Sequence, residues 1–116
     1  MPGTQLRYAI KFVADMDKAV KFYRDTLGLT LKFQSPGWSE FITGETTLAL
    51  HPASDKNPPG KVELGFNVED IDAFYKEMRD KGVQFSMPPK KQDFGGVLAQ
   101  FVDSEGAPCS VGAQAA

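Results

Sequence analysis

Residues 8–25, YAIKFVADMDKAVKFYRD, lie over residues 63–80, ELGFNVEDIDAFYKEMRD, with six identities in eighteen pairs: Val13/Val68, Asp15/Asp70, Asp17/Asp72, Lys21/Lys76, Arg24/Arg79 and Asp25/Asp80. Average residue usage gives roughly one such match by chance. Aspartates before a helix recur in many proteins because they cap it, but Lys21, Arg24 and Asp25 stand at positions that capping does not dictate. Beyond the block, one deletion brings Gly28 against Gly82, both where a helix C-cap glycine is expected. The chain carries an internal duplication.

Working outward, each half reads as a strand, a helix and three more strands. In the first half LRYAIKFV, residues 6–13, is rich in aromatic and β-branched residues and predicts a strand. Asp15 and Asp17 are cap candidates, and Met16, Val20, Tyr23 and Leu27 recur at helical spacing, which predicts one amphipathic helix ending at Gly28. Strands follow at LTLKFQ, WSEFIT and TTLALH, separated by the turn signals Ser35-Pro36-Gly37 and Gly44-Glu45. After the polar connection ASDKNPPGK, the order repeats in VELGFNV, DIDAFYKEMRDKG and VQFSM. A PPKKQDFGG loop then leads to VLAQFVD, the turn Ser104-Glu105-Gly106, PCSVG and a small-residue tail. The expected organisation is one domain over residues 1–116, with one module at about 5–52, a linker at about 53–60 and a second module at about 61–113.

The 116 residues suit a single core that needs no disulfide or metal staple. A net charge of -2, with lysines and arginines spread along the chain, supplies no basic field for nucleic acid. The single cysteine, Cys109, has no intramolecular partner to oxidise with, and neither a signal-peptide pattern nor a membrane-spanning apolar run is visible. The expected setting is the cytoplasm, with no nucleic-acid or membrane partner.

The segments VADMDKAVKFYRDTLGL and FVDSEG resemble the opening helix and closing turn of the vicinal oxygen chelate (VOC) superfamily, the group of glyoxalase I, bleomycin resistance proteins and dioxygenases. The likeness covers essentially the whole chain. It implies an α+β fold of two βαβββ modules, a curved mixed sheet forming a groove with the helices outside, and chains that pair as homodimers. Catalytic members of this group hold a divalent metal in four slots, typically with His or Gln, Glu, His and Glu. The resemblance puts those slots at Tyr8, Ala49, Glu63 and Ser110. Glu63 alone is an ordinary ligand. Alanine offers no donor and neutral Tyr or Ser a weak one, so the standard metal site is expected to be broken and no cofactor is expected. His51, two residues beyond Ala49 on the same strand face, could join Glu63 in a displaced metal site, which is the weaker reading.

Strand alternation sends Tyr8, Ile10 and Phe12 to the groove, with Glu63, Gly65 and Asn67 from the second module. Thr47, Ala49, His51 and Ser110 join them, with Trp38 nearby. Leu64, Phe66, Val68, Cys109 and Val111 should face the helices, which makes Cys109 an inert core residue. Aromatic walls with a few polar groups match the make-up of small-ligand sites. The leading expectation is a metal-free small-molecule-binding protein, with Tyr8, Phe12, Trp38, Ala49, His51, Glu63, Asn67 and Ser110 lining a site for an apolar or aromatic ligand, which it sequesters as bleomycin resistance proteins do. The alternative is a glyoxalase-like lyase or isomerase, or another enzyme of that superfamily, using His51 and Glu63 on a displaced metal. In a metal-free version Glu63 is the catalytic acid/base, its pKa raised by burial without a partner.

Overall fold

The computed structural model describes residues 3–93 and 95–114. Phe94 of the predicted loop, Ala115 and Ala116 of the tail, and Met1 and Pro2 of the predicted domain lie outside the described residues. The chain divides into two compact units, residues 7–63 and residues 64–114 with the N-terminal stretch through Leu6. In the first repeat β1 (Gln5–Val13), α1 (Met16–Lys21), a π-helical turn (Phe22–Thr26), β2 (Thr30–Phe33), β3 (Ser39–Ile42) and β4 (Thr47–Pro52) follow one another. The second contains β5 (Val62–Asn67), α2 (Ile71–Asp80), β6 (Phe85–Lys91), β7 (Gly96–Val102) and β8 (Pro108–Gln114). Strand order is β2-β3-β4-β1 in the first and β5-β8-β7-β6 in the second. β1 and β4 pair in parallel, as do β5 and β8, and the other pairs are antiparallel. This is the α+β architecture of two βαβββ units that the duplication predicts.

The repeated aspartates explain where each helix starts. Asp15 accepts the Lys18 backbone N–H at 3.1 Å and Asp70 that of Ala73 at 3.0 Å, each satisfying a donor that the first helical turn leaves open. Gly28 and Gly82 close the helices at φ +83° and +93°, a conformation in which a Cβ is strained. Between cap and glycine the first repeat carries one residue more than the second. The difference is taken up in the turn Phe22–Thr26, where the Leu27 N–H reaches past the usual partner to the Phe22 carbonyl at 2.9 Å. The predicted single regular helix is therefore corrected to a short α-helix running into a wider turn.

A second correction concerns Pro88, Pro89, Lys90 and Lys91, read from sequence as loop and found as the end of β6. Proline supplies no ladder N–H, so it is tolerated only where pairing is incomplete. β6 is the outermost strand of its unit's order, and its register against β7 shifts between Met87 and Lys90, which meets that condition. Three clusters make the core. Val20, Phe41 and Leu50 are buried under α1 with Met16, Tyr23 and Leu31 against them. Val68, Ile71, Ala99 and Val111 are buried with Phe66, Phe74, Phe85 and Phe101 in the second unit. Ile10, Phe12 and Ala49 form the third. Each large side chain so buried contributes about 1.5–3 kcal/mol of transfer free energy. Among the described residues no helix is long and apolar enough to cross a membrane.

Candidate functional site

In the first unit the sheet has one face against α1 and one turned away from it. Phe41 and Leu50 take the helix side. Their neighbours therefore take the other, because successive strand side chains alternate. The registers Tyr8↔Thr47, Ile10↔Ala49 and Phe12↔His51, with Glu40↔Ala49 and Ile42↔Thr47, lay Tyr8, Phe12, Trp38, Glu40, Ala49 and His51 over three adjacent strands.

Four rings meet around Ala49. Tyr8 and Trp38 make an edge contact with centroids 5.8 Å apart, although they start from different rows of the ladder. They can converge because the methyl of Ala49, fully buried between them, leaves space that a larger side chain would fill. Phe12 meets His51 at 5.3 Å and Trp38 meets His51 at 6.2 Å, both edge-on, the favoured geometry for aromatic pairs. The backbone holds the rings in place. The Phe12 N–H donates to the Lys61 carbonyl at 2.9 Å and its own carbonyl accepts from Gly60 at 2.8 Å. The linker thus fixes one wall. Ser35 fixes another, its hydroxyl accepting from the Trp38 N–H at 3.1 Å and donating to the Trp38 carbonyl at 2.7 Å.

Polar chemistry on this face centres on Glu40, whose carboxylate accepts the Trp38 indole N–H at 2.7 Å, with the Lys32 ammonium 3.8 Å from its other oxygen. Glu40 was not among the sequence candidates, yet the period that exposes Trp38 exposes Glu40 two residues on. His51 is exposed, and its Nδ1 lies 2.8 Å from the Pro52 carbonyl. A carbonyl only accepts, so Nδ1 is the donor in that contact.

The other candidates are placed differently. Glu63 is 9% exposed and engages a partner, so burial without a partner, the premise of the acid/base reading, is corrected. Asn67 and Ser110 belong to the second unit, half-buried on the parallel pair β5/β8, where Ser110 stands opposite Gly65 and Asn67 opposite Gly112. Leu64, expected against the helices, is 39% exposed.

The slots that the family resemblance assigns to a divalent ion are Tyr8, Ala49, Glu63 and Ser110. Their donors do not fit one: Ala49 has none, and the phenol of Tyr8 and hydroxyl of Ser110 are poor ligands when neutral. Among the described residues no three His, Cys, Asp or Glu side chains are grouped as an ion would need.

The duplicated βαβββ unit defines the class of fold. Residues 5–109 match the model of the Glyoxalase/Bleomycin resistance protein/Dioxygenase superfamily, and the chain belongs to that family. An uncharacterized protein of Mycolicibacterium smegmatis is 34% identical over 83 residues, 71% of each chain. The bleomycin resistance protein of Klebsiella pneumoniae is 27% identical over 101 residues, 79% of each. Methylmalonyl-CoA epimerase from Mycobacterium tuberculosis superposes with a TM-score of 0.75 over 100% of this chain and 94% of its own, at 21% identity, a likeness of fold.

Proposed function

We propose that this chain is a metal-free small-molecule-binding protein that sequesters a planar aromatic ligand against the ring-lined face of its first unit. The observation that carries this reading is the meeting of Tyr8, Phe12, Trp38 and His51 around Ala49, with Glu40 on the indole N–H. Tyr8, Trp38 and His51 keep surface to offer a flat guest, backed by Phe12 at 4% exposure, each good ring contact worth about 0.5–1.5 kcal/mol beyond the area buried. The Glu40 carboxylate adds attraction for positive charge, so ring cations are held more tightly than neutral rings of equal size. The resemblance to the Klebsiella protein, named for bleomycin resistance, supports a binding role. Glu63, from the same unit, completes the site in this reading. The protein works in the cytoplasm as a homodimer, for which Phe22, Leu27, Phe33 and Ile42, all exposed, offer apolar surface.

The test uses Trp38, the chain's single tryptophan, as an internal reporter. Bleomycin and a panel of small aromatic cations and neutrals are titrated while its emission is followed. One or more should give a saturable change and raise the melting temperature, since a ligand at one hundred times its Kd stabilises by about 2.7 kcal/mol. A panel that moves neither signal would refute the proposal.

A further inference from the structure

The two repeats are packed unequally on their helix sides. In the first, Ala9, Leu48 and Phe41 form one row across β1, β4 and β3. Tyr23 covers its end, 5.9 Å from Phe41, and Phe41 is fully buried. The equivalent row in the second is Leu64, Cys109 and Phe101, and the repeat replaces Tyr23 with Met78. The thiol of Cys109 is shorter than the Leu48 side chain, and a flexible thioether stands where a ring stood. Phe101 is consequently only half-buried and Leu64 is 39% exposed. What opens there is a cavity of about 730 Å³ walled by Leu64, Phe66, Phe74, Met78, Phe101 and Cys109.

That volume lies in the range of about 300–1,000 Å³ typical of small-ligand sites, and close-packed interiors leave few voids even of water size. The charges at its rim are already engaged. Lys81 pairs with Glu77 at 3.2 Å, and the Asp103 carboxylate accepts the Glu105 and Ala107 backbone N–H groups at 2.8 and 2.9 Å. Apart from these the lining is mostly carbon and sulfur, with Thr4, Gln84 and Ser104 its uncharged polar members. Two of the rings, Phe66 and Phe101, pack against each other with centroids 6.1 Å apart and planes 32° apart, so the wall they form is aromatic.

We infer that the second unit carries a separate site for a neutral, apolar, flat small molecule between α2 and strands β5, β7 and β8. It shares no residue with the ring-lined face around Ala49 and does not depend on the function proposed for that face. The probe is N-phenyl-1-naphthylamine, a neutral dye that brightens in apolar surroundings. The expected result is saturable brightening with nuclear Overhauser contacts from the dye's rings to the methyls of Met78 and Leu64. Cys109→Leu, which supplies the side chain found at Leu48, should weaken binding at least tenfold. Absence of saturable brightening, contacts to other residues only, or undiminished binding by folded Cys109→Leu would each overturn the inference. If that variant does not fold, the contact map of the unaltered protein decides alone.

Discussion

Ala49, which the family resemblance puts in a metal-ligand slot, carries the methyl group that lets Tyr8 and Trp38 meet. A larger side chain there has no empty volume to enter. Ala49→Leu is expected to destabilise the fold by about 1–3 kcal/mol, the usual cost of overpacking, and to part the two rings. Chemical denaturation and the Trp38 emission maximum check both effects. Glu40→Gln keeps an acceptor for the indole N–H but removes the charge. Affinity for an aromatic cation should fall about tenfold, the equivalent of ~1.4 kcal/mol, with a neutral ring of the same shape unaffected. Paired calorimetric titrations read that difference. At this scale the grouping of Tyr8, Phe12, Trp38, Ala49 and His51 was legible, because alternate residues of a strand share a face whatever the tertiary detail. Glu40 was equally legible by the same rule and was missed. The engagement of Glu63 and the exposure of Leu64 were not, since strand alternation alone fixes neither.

The helices and strands show how small sequence differences are absorbed. Asp70 caps α2 through one hydrogen bond to Ala73. Asp70→Ala should therefore cost about 1 kcal/mol, lowering the melting temperature by about 4 °C in a differential scan. The turn at Phe22–Thr26 accommodates the one-residue difference between repeats, so both helices keep an aspartate at the start and a glycine at the end. Sequence comparison exposed that extra residue but not its form, because a wide turn and a looped-out residue have the same spacing. In β6, Pro88 and Pro89 were read as loop since proline usually breaks a ladder; an outer strand with a shifted register escapes that rule. Prolines on an exposed edge also deter pairing with other chains. Replacing both with valine should increase self-association at high protein concentration, measurable by light scattering, with the monomer fold retained by circular dichroism.

At the scale of the whole molecule, the duplication gave the architecture, and the family match over residues 5–109 agrees with it. Function was less legible, because a fold of this kind hosts several chemistries and only the residues in its slots distinguish them. The residues that the family resemblance puts in those slots, Tyr8, Ala49, Glu63 and Ser110, are a set without the donors for a divalent ion. The most direct measurement is titration of an aromatic cation into the protein with Trp38 emission as the signal, once in excess chelator and once with added zinc, nickel or manganese. Saturable binding with the same Kd in every buffer is the expected result. A Kd that improves only when a divalent ion is supplied, or no binding under any condition, would contradict a metal-free aromatic site.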